Sequence, residues 1–317
     1  MSDSLNEANK ESLKKDIENC KVIPFVGAGV SQSVILKGTD NKSPFKSWKN
    51  LLKTLSTIII DENDKKHIDS YFELKDIDYL EIADKIKKFS NQIDYSKKLE
   101  EMITTDYDSI DKKSYILARN IWKLNSKFII TTNYDSVLEK ACESDNVQAL
   151  YLNNNFKLSQ VVSYELTKPT VWNIHGHESN IDSIILTSES YKKLYDNIKV
   201  NSQLHTLKTL VTTKSLLFIG FGYEDNMANV IKDILDLYGG YGRNHYLIIK
   251  EDKVISNLGE NIKLITYKKH SDLPKLIEEL IPHNSVEISE KKQIRDIDRY
   301  WTIKPSVIES SLVESRI

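Results

Sequence analysis

Cysteine is nearly missing from this chain: Cys20 and Cys142 are the only two in 317 residues. A disulfide framework is therefore excluded as a source of stability, and a structural zinc site with four cysteine ligands cannot be built from this sequence. Arginine is scarce too, with five among 44 basic residues, which we read as coding bias without functional weight. Charge of one sign does not accumulate either. The net charge is -2, so nothing in the balance advertises a nucleic-acid or membrane surface as the main business. No run approaches the ~20 apolar residues a bilayer span needs, and the opening MSDSLNEANKESLKKD is polar and mixed in charge, unlike a signal peptide. The expectation is a soluble, cytoplasmic protein. What the chain does have is 40% hydrophobic residues, enough for a real interior and incompatible with general disorder. At roughly 150 residues per domain, that is one large domain or a core with one substantial appendage.

The apolar residues are grouped in a telling order. Residues 4–20 have helical spacing, with Leu5, Leu13, Ile17 and Cys20 near one face. Short continuous apolar runs follow at Val22–Val26, Phe128–Thr132, Val171–Ile174, Ser215–Ile219, His245–Lys250 and Lys263–Tyr267. Amphipathic segments accompany them at Ser136–Cys142, Asn226–Tyr238 and Leu273–Leu280. Apolar runs alternating with helices predict an α/β fold, a Rossmann-like parallel sheet with helices on both faces. The stretch of about 37–126 is far longer than an ordinary connection and carries helical spacing, as in Trp48, Leu51, Leu52 and Leu55, which predicts a helical insertion subdomain. We expect residues 1–282 to form the main domain and 283–317, with Tyr300 and Trp301, to be a C-terminal extension that contacts a partner or another copy.

Four constellations stand at strand ends, where ligands bind in such sheets. Gly27, Ala28, Gly29 and Ser31 form a glycine turn after the first strand, suited to a phosphate at a helix start or simply to a tight strand-helix corner. Thr132, Asn133 and Asp135 follow the second strand. Asp135 has an ordinary reading as a helix cap, whereas Asn133 stands where an amide can face the crevice. His175, before Gly176, is either a general base or a satisfied structural histidine, and His177 has the weaker case. Metal binding by the two histidines lacks a third ligand. Gly220 and Gly222 form a second glycine pair, with Asp225 beyond it to bond a ribose hydroxyl or cap a helix.

The order G-A-G-x-S, T-N-x-D, H-G, G-x-G-x-x-D closely resembles the sirtuin family, and more narrowly the bacterial sirtuin-like domains that consume NAD in antiviral defence. The resemblance spans roughly residues 16–270. It implies that Gly27, Ala28, Gly29 and Ser31 cradle the pyrophosphate of NAD, that Asn133 and Asp135 lie beside the nicotinamide ribose, that His175 is the catalytic base, and that Gly220 and Gly222 line the adenosine half, with Thr132 and Asp225 as further cofactor-binding residues. Protein deacetylases of the family carry a zinc module with two cysteine pairs, which this chain cannot build, so deacetylation is disfavoured.

The activity implied is that of an NAD+ glycohydrolase, releasing nicotinamide and leaving ADP-ribose, without a metal. Because uncontrolled NAD hydrolysis is toxic, the expectation extends to an effector of anti-phage defence held inactive until assembly or a separate sensor subunit releases it. A homo-oligomer, a hetero-complex or both would serve, and no direct binding of nucleic acid or membrane is expected. Two other classes stay open: a non-catalytic sensor of NAD or ADP-ribose, and an ADP-ribosyltransferase.

Overall fold

The computed structural model describes residues 3–74, 77–124, 126–151, 160–161, 165–195, 202–221, 243–252 and 261–282. The helix predicted over 226–238 and the extension 283–317 lie outside the described residues. The chain divides into two compact units, Met1–Ile281 and Pro282–Ile317, and the strands and helices named here all belong to the first.

Seven parallel strands form one sheet: β1 (Val22–Val26), β2 (Phe128–Thr131), β3 (Gln148–Leu150), β4 (Thr170–Asn173), β5 (Ser215–Ile219), β6 (His245–Lys250) and β7 (Ile262–Tyr267). Their order is β3-β4-β2-β1-β5-β6-β7. Each predicted run is a strand; the three-residue β3 was not anticipated, being too short to carry a pattern. The predicted fold class therefore stands. Alternation along the strands divides their side chains between two apolar layers. Val22 and Val26 of β1 join one core with Ile129, Leu217 and Ile248, while Ile23 and Phe25 join the other with Ile130, Trp172 and Phe218.

Helices cover both faces. The first core is closed by α1 (Asp3–Glu18) and, later in the chain, by α7 (Ile116–Trp122), α8 (Val137–Ala141) and α11 (Leu273–Glu279). The second takes Leu194 of α9 (Ser188–Tyr195) and Leu207, Leu210 and Val211 of α10 (Ser202–Thr213). Among the described residues no helix is long and apolar enough to cross a membrane.

Proline in a central strand normally argues against the assignment, yet Pro24 sits in the middle of β1. The pairing explains why it is tolerated. Gly27 N–H bonds to Ile219 of β5, whereas Val26 C=O faces β2, so even-numbered residues of β1 point their backbone groups toward β2. On that side the register would set an N–H of residue 24 on Phe128 O, and that carbonyl accepts instead from Ser126 Oγ at 2.6 Å.

Between β1 and β2 lie α2 (Ala28–Gln32) and then α3 (Trp48–Leu55), α4 (Glu62–Tyr71), α5 (Tyr79–Phe89) and α6 (Gln92–Ile103). Ser47, Asp61, Asp78 and Asn91 cap α3 to α6, each side chain accepting from a backbone N–H of the first turn. Their apolar faces meet in a third core, centred on Leu52, Leu55, Ile68, Ile82 and Ile86, which Leu186 joins and on which Tyr134 and Ile184 pack. That core does not extend over the whole of 37–126: Leu117, Ala118 and Ile121 of α7 pack on the sheet instead.

Candidate active site

The sheet changes direction of progression at β1, with β2 on one side and β5 on the other, and the crevice beyond their carboxyl ends is where an open α/β sheet receives its ligand. The loop after β1 is locked against the loop after β5. Gly29 N–H bonds to Gly220 O at 2.8 Å, and a Cβ on Gly27 or Gly29 would stand 2.8 Å from that same oxygen. Gly220 itself has φ +77°, open to glycine at little cost. Packing between the two loops therefore suffices to require these three glycines.

The side chains that follow are cross-linked. Asn133 Nδ2 donates to Gly27 O at 3.1 Å and to Ser31 Oγ at 2.8 Å, and Ser31 Oγ donates to Asp135 Oδ1 at 2.9 Å. Both amide hydrogens of Asn133 are thus used within the protein, which leaves its oxygen as the atom turned to other work. Thr131 Oγ1 donates to Val26 O and accepts from Asn133 N–H, and Asn173 Nδ2 donates to Asn133 O, so the end of β2 is held from both neighbouring strands. Asp135 Oδ1 also accepts from Val137 N–H at 3.1 Å, the capping role its position suggested.

Burial pushes the Asp135 carboxyl up from 3.8 to about 7; the Ser31 and Val137 hydrogen bonds oppose that rise, while the Glu139 and Glu178 charges add to it. His175 is buried at the end of β4, and burial lowers its imidazole to about 3, so it is neutral at physiological pH. The Tyr191 hydroxyl lies 3.4 Å from His175 Nδ1, with the two rings edge to face at 5.0 Å.

His177 faces elsewhere. Ser179 N–H donates to its Nδ1, which therefore carries no proton, and the proton-bearing Nε2 lies 3.2 Å from Ser136 Oγ and 3.4 Å from Glu139 Oε1. Among the described residues no three His, Cys, Asp or Glu side chains gather as a metal site.

Ala28, Ser31, Thr132, Asn133, Asp135 and His175 all line one cavity of about 110 Å³. Gly27, Gly29 and Gly220 stand behind that wall, and Gly222 and Asp225 lie outside the described residues. The opposite wall comes from the insertion and its surroundings: Phe45, Lys46, Trp48, Leu51, Met102 and Ile103, with Tyr134, Tyr191 and Phe221 completing it. Trp48 stacks on Tyr191 at 6.1 Å. Sequence reasoning took Trp48 as a helix-core residue and passed over Tyr191, since neither stands in a strand-end motif.

Residues 127–271 match the family described as SIR2-like domain. Over 250 residues the chain is 26% identical to the NAD(+) hydrolase ThsA of Bacillus cereus (strain MSX-D12), covering 77% of this chain and 46% of that protein. With ThsA of Enterococcus faecium, also named an NAD(+) hydrolase, it shares 27% identity over 240 residues, 74% of this chain and 44% of the relative. Defense-associated sirtuin 2 of Bacillus subtilis matches at 24% over 227 residues, 70% of this chain and 20% of that one. The chain thus spans less than half the length of these curated relatives.

Proposed function

We propose that this chain hydrolyses NAD+ to nicotinamide and ADP-ribose, as the NAD-depleting effector of an anti-phage defence system, held inactive until assembly or a separate sensor subunit activates it in the cytoplasm. The observation that carries the reading is the convergence of Asn133, Asp135 and His175 on one cavity at the switch point of the sheet. The relatives named as NAD(+) hydrolases support it.

Cleavage of the nicotinamide glycosidic bond passes through an oxocarbenium-like state and expels a neutral base, so the protein must chiefly position, exclude bulk water and stabilise charge. The free oxygen of Asn133 accepts a hydrogen bond from the attacking water or from a ribose hydroxyl. Neutral His175 accepts from a ribose hydroxyl or the same water and takes its proton as charge develops. Ionised Asp135 sets a negative charge beside the developing cation. Ala28 and Ser31 hold the pyrophosphate side, with Gly220 toward the adenosine half. The reaction requires no metal in this scheme.

Nicotinamide release from NAD by the purified chain, alone and with its co-purifying partner, tests the reading. Asn133→Ala and His175→Ala are each expected to reduce turnover by at least ~100-fold, the scale of lost positioning or acid-base catalysis. Turnover equal to wild type in both would remove the assigned roles. Intact NAD under every activating condition would point to a sensor, and transfer of radiolabel to a macromolecule would point to ADP-ribosylation.

A further inference from the structure

Tyr107 is far from the motifs in sequence, in the short turn Tyr107–Ser109 that follows α6. Its hydroxyl donates to Glu178 Oε1 at 2.6 Å and accepts from Ser136 N–H at 2.6 Å. Burial raises the phenol's pKa, with the Asp135 and Glu178 charges adding to the rise, so the donating proton stays in place. Ser136 follows Asp135 directly, and its own hydroxyl also donates to Glu178 Oε1. Glu178 in turn sends its backbone N–H to Tyr134 O at 2.7 Å, the carbonyl between Asn133 and Asp135. One phenol therefore joins three segments: the exit of the helical insertion, the loop after β2 and the loop after β4.

We propose that Tyr107 is a positioning residue for the reaction: by bridging Ser136 N–H to the Glu178 carboxylate it fixes where Asn133 and Asp135 stand, and so makes turnover depend on the turn that follows α6. The proposal rests on the NAD-hydrolysis reading for its consequence in turnover, and on the hydrogen bonds alone for its consequence in structure. The bridge is specific to the hydroxyl. The ring has its own contacts, 6.4 Å from Phe45 between centroids and 5.4 Å beneath the Lys140 ammonium, which phenylalanine would retain. On Glu178, Oε1 takes both hydroxyl hydrogen bonds while buried Oε2 has no partner, so a glutamine keeps the bridging oxygen and displaces no existing bond.

Turnover and amide exchange test this separately. Tyr107→Phe is expected to lower kcat by ~10–100-fold, as a misplacement of about 1 Å does, with KM for NAD within about threefold of wild type. Glu178→Ala should fall similarly, the double variant should be little worse than Glu178→Ala alone, and Glu178→Gln should stay within about threefold of wild type at pH 8. In hydrogen exchange, Tyr107→Phe should expose the Ser136 amide and its neighbours over 133–137 while leaving α3 to α6 protected as before. Unchanged kcat in Tyr107→Phe, or Glu178→Gln as impaired as Glu178→Ala, overturns the turnover claim and leaves NAD hydrolysis standing. If the wild type releases no nicotinamide under any activating condition, NAD hydrolysis fails instead, and unchanged exchange at Ser136 then overturns the positioning itself.

Discussion

Asp135 concentrates the electrostatics of the site, since it is the carboxyl whose titration falls near neutrality, at about 7. The sign follows from its folded pKa lying above the ordinary 3.8: the folded state holds a proton that the unfolded state releases, so stability declines as pH rises from about 4 through about 7. In the proposed reaction activity runs the other way, because there the ionised form is the one that would stabilise the cation. We expect kcat/KM to climb between pH 6 and pH 8, and Asp135→Asn to abolish that climb while raising the melting temperature at pH 8 and leaving it nearly unchanged at pH 4. A flat wild-type profile across that range removes Asp135 from the chemistry. The order of the strand-end motifs singles out Asn133 and His175 in the sequence, and both line the cavity. The state of His175 is not legible there: a sequence cannot tell how deeply a ring is buried, and burial is what lowers it to about 3.

Elements meet in ways that periodicity does not encode. The spacing of Trp48, Leu51, Leu52 and Leu55 tells that one face of α3 is apolar, but not what that face covers; Leu52 and Leu55 enter the insertion's core, while Trp48 and Leu51 reach the cavity. The glycines show the same gap. A sequence offers Gly27 and Gly29 as phosphate-binding residues, and the loops give them a second task, the close approach to Gly220 O. Gly29→Ala should therefore destabilise the protein by ~1–3 kcal/mol even without ligand, because the obstructing atom is backbone and cannot swing away. Urea denaturation reads this directly; an unchanged midpoint would return the glycine to a purely ligand-facing role.

At the scale of the molecule, two apolar layers bind the sheet to its helices, and a third core packs α3 to α6 against Tyr134, Ile184 and Leu186 of the loops after β2 and β4, so the placement of the insertion is tied to the loops that carry the site. A partner that favours one placement of the insertion would alter turnover without touching the reacting atoms, which is the form of control we propose for the effector. Shortening the chain to residues 1–282 tests the proposed role of the extension. We expect the melting temperature to hold within a few degrees and ADP-ribose to bind as before, while the partner-dependent or assembly-dependent rise in nicotinamide release is lost. A full response in the shortened chain would move the contact to the insertion. The extent of sheet and helices was legible because parallel strands buried on both faces are nearly continuous apolar runs; the division of the insertion was not, since α7 has the same helical spacing as its neighbours and differs only in what it packs on.

The place of β1 has a consequence for synthesis. It is the earliest strand of this chain and the middle of the sheet, yet its neighbours end at Thr131 and Ile219. At ~5–20 residues per second, roughly 10–40 s separate the emergence of β1 from that of β5. For the first roughly 5–20 s of that interval, until β2 has emerged, Val22, Ile23, Phe25 and Val26 form an apolar segment with both edges open, the kind of sequence that pairs with a neighbouring nascent chain. Pro24 removes a donor from one of those edges throughout the wait, and does so where the finished ladder does not use it.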